Sequence, residues 1–598
     1  MMSAHARRVG WILYAALLML LAVLLLGAGS ASAALTPSPP AVSTSGTQAS
    51  ADTLHARITG TPIPGTSLQS ITSTAAPTAV PSKHGQIGTL KAALSFMTSN
   101  YPSLANFAPG PQDIFDYGIG NLWRKGIDGA GTTIALLEGW DDPNIASRVA
   151  SFDAKLDLPN PPDISTVFPA GPLPATCPAG MVALGSYGSC NAWEGELTLD
   201  VMAAHMIAPY AKIDLVVTPA DTVLTADAAQ NVAPPEMMEA LEDIARNHLA
   251  NVISVSDGTG ETTYPDGTPE ILAQNPGELA AASAGIPFLG ATGDCGVVQN
   301  LAEANAQCED AGTTPSTATW DDSPWVTAVG GSVPNVSPVN GAKLGPDPLW
   351  HFAPPNAQFS EGAGFSAVFA RPAYQNGVAS ITHSNFRSVP DITMDAQDGT
   401  SEAAPSLAGV LALATQENHG ANIGPINPVL YDKLGPAGAR DGIADVVSGN
   451  NSAETPDGQV LVPGFTAAPG FDVASGWGTL YAPKFVPSLV SATRASHEEA
   501  DARQSAQQQL TSLETRSASL APQTVARGST TALSASGFLP GYPVTLSIDG
   551  SQVATLTADS QGDVTDTIDP QALGLARGSH DVTLHSLVID ETAHFTTR

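Results

Sequence analysis

Thr132-Thr133-Ile134-Ala135-Leu136-Leu137 is a short apolar run that reads as a buried strand. The same reading fits Ile213-Asp214-Leu215-Val216-Val217, Val252-Ile253-Ser254-Val255, Pro287-Phe288-Leu289-Gly290 and Val326-Thr327-Ala328-Val329. Between several of these runs lie Ala-rich, helix-favouring stretches at 198–207, 235–247 and 276–284. Strands alternating with helices imply βαβ units and a parallel sheet, so the expected class is α/β. In such sheets functional side chains gather at the C-terminal ends of the strands.

Around this core the composition sets limits. With 598 residues and 43% apolar content, the chain can form several domains and a large core. Only 13% of residues are charged and the formal net charge is −33, which argues against nucleic acid or an anionic membrane surface as partner. In acid, many carboxylates protonate and the 12 His become charged, so the net charge approaches zero. Such a surface suits an acidic medium, although plain solubility accounts for it equally well.

The N-terminus has the layout of a secretory signal over residues 1–33. His5, Arg7 and Arg8 precede a charge-free run at 11–26, and Ala31-Ser32-Ala33 supplies a small-x-small cleavage site. The expected location is extracellular; an uncleaved membrane anchor is the alternative. Residues 34–100 begin rich in Ser, Thr, Pro and Ala and read as a flexible leader or short pro-segment, with ordered sequence starting near Tyr101. The α/β pattern then fills 101–490. Residues 491–520 are polar and Gln-rich, as in a linker or stalk. Short β segments separated by Gly, Pro and Asp fill 521–598, a small all-β sandwich resembling immunoglobulin-like modules. This last module is expected to tether the chain to a cell surface or polymer, and the chain is expected to be a monomer.

Four cysteines in an exported chain favour disulfides over a metal site. The spacing allows two local staples, Cys177–Cys190 and Cys295–Cys308; the other two connectivities stay open at this point.

Gly399-Thr400-Ser401 precedes an Ala-rich segment at 403–413, which places Ser401 at a helix N-terminus. There, free N–H groups can stabilise an oxyanion, although Thr400 or Ser401 could equally be a helix cap. A serine nucleophile needs a base, and no His offers one. His84 lies in the low-complexity leader, His205 sits within a helix, and His419 follows the serine. Glu196 and Asp200 share one helix face at i and i+4 in an otherwise apolar helix, with no Lys or Arg between Lys155 and Lys212. Buried together they should share a proton, as general acid–base chemistry in acid requires; a solvated acidic face is the bland alternative. Asp294 ends the apolar run 288–291 in a Gly turn, with no Lys or Arg between Arg246 and Lys343. Alone it would be read as a turn residue.

The ordered set Glu196-x-x-x-Asp200, Gly293-Asp294-x-Gly296 and Gly399-Thr400-Ser401-x-x-x-Pro405 resembles the sedolisin family of serine-carboxyl peptidases. Ser323-Pro324-Trp325 through Gly330-Gly331, Gly364-Phe365-Ser366 and Arg387 through Ile392 extend the resemblance, which runs from about Tyr117 to Val490. It implies a subtilisin-like parallel sheet flanked by helices and an acid-active serine endopeptidase acting on proteins or peptides. Ser401 would be the nucleophile, Glu196 its base, Asp200 the group that orients Glu196, and a protonated Asp294 the oxyanion donor. It also implies one structural Ca²⁺, held by the carboxylates of Asp445 and Asp472 and the carbonyls of Val446, Ala468 and Gly470. Three departures stand out: the leader is short for the family's folded pro-domain, Asp257 stands where an aromatic residue is expected, and Glu402 follows the nucleophile. The rival readings are a neutral subtilisin-like protease and an inactive, surface-attached binding protein on the same scaffold.

Overall fold

The computed structural model describes residues 83–598, apart from short stretches of which 178–188, 219–234, 300–307 and 353–358 are the longest. Residues 1–33, read as a signal, and most of the expected leader lie outside the described residues. Seven strands form the central sheet: β1 (Thr133–Glu138), β2 (Ile164–Val167), β3 (Lys212–Val217), β4 (Val252–Val255), β5 (Phe288–Ala291), β6 (Thr327–Ser332) and β7 (Ile392–Asp395). Their order is β7-β6-β5-β4-β1-β3-β2, and every pairing is parallel. The apolar runs become strands because both of their faces are covered, as parallel sheets require. Their order reverses at β1, which pairs with β3 on one side and β4 on the other. That switch point opens a crevice at the strands' C-terminal ends.

The principal helices are α1 (Lys83–Leu104), α2 (Pro111–Asp116), α3 (Cys190–Ile207), α4 (Pro235–Asn247), α5 (Asn275–Ala284), α6 (Thr400–Glu417), α7 (Ala482–Ala495) and α8 (Glu498–Glu514). α6 is buried continuously from Glu402 to Thr415, as a helix apolar all round should be. It packs on one face of the sheet with α3 and α7, while α4, α5 and α8 share the hydrophobic cluster on the other face. The result is a helix–sheet–helix sandwich. Both expected disulfides form, Cys177–Cys190 and Cys295–Cys308.

Two segments differ from the sequence expectation. Order begins before Tyr101: α1 buries Leu90, Ala93, Leu94, Met97 and Tyr101. Its apolar positions recur every three or four residues within a Ser/Thr-rich background that masks them. The stretch 491–520 holds the end of α7, the docked helix α8, and the start of a strand at Ser517. Ala506 and Leu510 bury one stripe of α8 against α5, a four-residue spacing that Gln-rich composition hides.

Beyond α8 the chain forms two sheets from β8 (Ser517–Ala521), β9 (Thr524–Val525), β10 (Thr531–Ser536), β11 (Pro543–Ile548), β12 (Ser551–Thr557), β13 (Val564–Ile568), β14 (Gly578–Ser586) and β15 (Ile589–Thr597). One sheet has the order β8-β10-β13 and the other β9-β15-β14-β11-β12, antiparallel except for β9 with β15. Alternate residues of β10 and β13 point inward, as a two-layer β unit demands. Among the described residues, no helix is long and apolar enough to cross a membrane.

Leu94 tests the docking of α1. A Cβ at Gly120 would lie 2.7 Å from Leu94 Cδ2, so α1 packs closely on the short helix Ile119–Trp123. Leu94→Ala is expected to cost about 2–5 kcal/mol in urea unfolding; a loss below about 0.5 kcal/mol would show that α1 adds nothing to the core.

Candidate active site

Ser401 occupies the first turn of α6, and the geometry there follows from three neighbours. Gly399 precedes the helix at φ 98°, a conformation that side chains disfavour, and a Cβ on it would stand 2.8 Å from Asp294 Oδ2. Glycine is therefore required twice, by the backbone angle and by the close carboxyl. Asp294, just past β5, accepts from Thr400 N at 2.8 Å and from Thr400 Oγ1 at 3.0 Å. Thr400 Oγ1 in turn accepts from Gly293 N at 3.0 Å. The helix cap is thus supplied by a distant strand end, and neither Thr400 nor Ser401 has to serve as the capping residue.

Pro405 sits one turn into α6 and has no N–H to give the Ser401 carbonyl. That carbonyl instead meets Ser256 Oγ at 3.3 Å, and Ser256 Oγ also donates to Asp200 Oδ2 at 2.8 Å. Ser256 follows β4, so the end of one strand bridges the serine turn and the carboxyl pair. The Ser401 hydroxyl neighbours the Glu196 carboxyl and lowers its pKa.

The structure brings together all four residues singled out as catalytic. Glu196 and Asp200 lie on α3 one turn apart, Asp294 follows β5, and Ser401 opens α6. Ser401, Glu196 and Asp294 are partly open to solvent, whereas Asp200 is fully buried. Burial raises the Asp200 carboxyl well above its usual range; the neighbouring Glu196 charge adds to this and Ser256 opposes it. Glu196 is raised chiefly by burial and also by Asp294 and Asp257, while the neighbouring Ser401 hydroxyl lowers it. Asp294 is raised by burial, and its bonds to Thr400 hold it back. His205, on the same helix, is buried against Asp153 at 3.0 Å.

Three further residues complete the site, and sequence reasoning gave none of them a chemical role. Glu138 ends β1, is fully buried, and neither of its oxygens meets a hydrogen-bond donor. Burial raises it strongly, and Asp200, Glu196 and Asp257 add to the effect. Ser256 and Asp257 follow β4; Asp257 is buried and pushed up to about 7 by burial. The available signal was positional, because Glu138 and Asp257 end apolar strands at the edge where parallel sheets expose their sites.

The expected calcium residues also converge. Asp445 Oδ2 accepts from Gly470 N at 2.8 Å, and Asp472 accepts from Ala468 N at 2.7 Å and Ser475 N at 2.8 Å. Asp445 Oδ1 is buried without a hydrogen-bond partner. Two carboxylates and one orphaned oxygen on one loop pair suit an oxygen-seeking cation.

The arrangement is that of a serine paired with carboxyl groups on a parallel α/β scaffold. No family model matches the chain. Kumamolisin from Bacillus sp. (strain MN-32) is 26% identical over 413 residues, covering 65% of this chain and 65% of its own length. Aorsin from Aspergillus oryzae is 27% identical over 282 residues, 40% of each chain. Tripeptidyl-peptidase 1 from Homo sapiens is 25% identical over 273 residues, covering 41% of this chain and 44% of that one. The chain thus spans just under two thirds of kumamolisin and less than half of the other two. A solved structure of Pseudomonas sedolisin, a serine-carboxyl proteinase complexed with two molecules of pseudo-iodotyrostatin, covers 61% of this chain and 94% of its own at TM-score 0.49 and 22% identity. In sequence the chain is thus similar to kumamolisin, aorsin and tripeptidyl-peptidase 1.

The buried carboxyls make stability fall with pH. Burial raises Asp257 to about 7 and Glu278 to about 8, so the folded chain holds protons there that the unfolded chain has already released. The resulting stabilisation is complete below the unfolded values, near 4, and is lost as pH rises through about 7 to 8. Thermal unfolding of the Ser401→Ala chain should show Tm dropping between about pH 4 and 8. Asp257→Asn combined with Glu278→Gln should flatten that drop; an unchanged slope would show that these groups do not contribute.

Proposed function

We propose that this chain is a secreted, acid-active serine-carboxyl endopeptidase that hydrolyses peptide bonds in proteins through an acyl-enzyme on Ser401. The observation that carries the reading is that the Ser401 hydroxyl lies against the Glu196 carboxyl and holds its pKa down. Among the described residues, no histidine is hydrogen-bonded to either group. The family relatives support a peptidase; secretion rests on the N-terminal signal pattern.

In this mechanism Ser401 Oγ attacks the scissile carbonyl carbon as its proton passes to the Glu196 carboxylate. Glu196 returns that proton to the leaving amine, then activates a water that hydrolyses the ester. Asp200, buried and held by Ser256, shares one proton with Glu196 and fixes its orientation. The developing oxyanion is met by the Ser401 N–H, a first-turn donor with no intrahelical acceptor, and by Asp294. Thr400 occupies Asp294 Oδ1, which leaves the proton to Oδ2. Asp294 must stay neutral to donate, so activity is lost as pH rises through its elevated pKa.

Glu196→Gln and Ser401→Ala should each cut kcat by at least about a thousandfold while leaving the fold intact by circular dichroism. Asp294→Asn keeps a neutral donor at every pH, so its residual activity should persist at higher pH than the parent's. An alkaline limb that does not move would remove Asp294 from the oxyanion site. Cleavage of an internally quenched peptide with a blocked N-terminus would support the endopeptidase mode. Release of tripeptides from free N-termini alone would overturn it.

The same reading includes one structural Ca²⁺ on Asp445 and Asp472, with the carbonyls of Val446, Ala468 and Gly470. The ion would neutralise the two carboxylates and tie their loops together; it takes no part in the bond-breaking steps. Chelator should lower Tm of the Ser401→Ala chain, and Asp445→Asn should reduce that chelator effect. A chelator effect that survives Asp445→Asn at full size would move the ion elsewhere.

A further inference from the structure

Behind the nucleophile lies a second group of acids that the proposed chemistry does not use. Asp113 comes from α2, Asp395 ends β7, and Glu402 follows Ser401 in the first turn of α6. All three are fully buried. One carboxylate oxygen from each lies within 4.8 Å of the other two.

Acidic clusters occur without ions, and the deciding fact is what these oxygens lack. Neither oxygen of Asp113 meets a hydrogen-bond donor, and Glu402 Oε1 meets none either. Asp395 takes one hydrogen on each oxygen, from Gln397 N at 3.1 Å and Gln397 Nε2 at 3.0 Å, and Glu402 Oε2 takes one from Asp398 N at 3.1 Å. Among the described residues, none of the three forms an ion pair with Lys or Arg. The nearby Lys343 is engaged by Asp116 and Asp347. Asp113 and Glu402 therefore bring oxygens without donors into one buried cluster with Asp395, where an uncompensated carboxylate is very costly.

We propose that Asp113, Asp395 and Glu402 form a site for one hard divalent cation, distinct from the Asp445–Asp472 loops. Its ligands are all oxygen, which selects Ca²⁺ or Mg²⁺ over zinc or copper. Size separates those two. Oxygens bound to Ca²⁺ at about 2.3–2.6 Å can stand up to roughly 4.6–5.2 Å apart, while Mg²⁺ at about 2.0–2.1 Å limits them to roughly 4.2 Å. A spread of up to 4.8 Å fits calcium as it stands. The ion would join α2 to the β7–α6 turn and so clamp the turn that presents Ser401.

The test uses the full chain with Ser401→Ala, to prevent self-digestion, and Asp445→Asn, to remove the loop site. The protein is stripped with EDTA, dialysed at pH 7 against CaCl₂, and its bound calcium is counted by mass spectrometry. One equivalent per chain is expected. Adding Glu402→Gln or Asp113→Asn should remove it, with circular dichroism unchanged, because each amide relieves like-charge crowding without altering size. Calcium unaffected by both substitutions, or absent from the start, would overturn the proposal in favour of carboxyls that share protons. Parallel dialysis against MgCl₂ that leaves an equivalent of Mg²⁺, where CaCl₂ leaves none, would overturn the size argument.

Discussion

Asp294 takes both the N–H and the hydroxyl of Thr400, and the site depends on that contact. It replaces a local helix cap with one borrowed from the end of β5, which fixes where α6 begins relative to the sheet. With the start of α6 set, Gly399 must be glycine, the Ser401 side chain faces the carboxyl pair on α3, and the Ser401 N–H stays free. Pro405 then leaves the Ser401 carbonyl for Ser256, which is already bound to Asp200. Two strand ends and two helices are thereby joined around one turn by bonds that each fill a vacancy left by another.

The scarcity of cations gives these contacts their pH dependence. At one place the fold buries a carboxylate and its cation together. Arg387 and Asp391 are both completely buried, with two guanidinium contacts at 2.8 and 2.6 Å, and four backbone carbonyls take the remaining N–H groups. Among the described residues around Ser401 no such partner exists. Glu138, Glu196, Asp200 and Asp257 compensate one another only by retaining protons, and each is raised chiefly by burial. A proton is the smallest cation that can be buried, and it is abundant only in acid. The low Lys and Arg content and the carboxyl-lined site are therefore two sides of one design.

Much of this was legible in the chain. The five apolar runs became strands, and Pro235–Asn247 was read with its boundaries intact. Glu196, Asp200, Asp294 and Ser401 were singled out by their spacing and order, and the fold brings them together. What escaped was set by packing across long sequence distances. Glu138 looks like the polar end of a strand until β4 is laid beside β1. Asp113 and Asp395 are 282 positions apart in sequence and meet only in the fold. α1 and α8 were missed for a different reason: each buries a narrow stripe, and composition averages over the exposed majority. Residues whose role comes from a pattern along the chain can be read from it, and residues whose role comes from a neighbour cannot.

Burial is graded across the site, and the gradient fits the proposed roles. Ser401, Glu196 and Asp294 retain access to solvent, whereas Asp200 and Glu138 behind them have none. A group that must exchange protons with water and touch a peptide has to stand at the front. A group that must keep one proton in place is better sealed behind it, where loss of that proton would leave a bare charge in a dry core. Exchanging Glu196 and Asp200 for one another would preserve every charge and still fail. The longer side chain would be crowded into the sealed position, and the shorter one would be left a methylene short of Ser401.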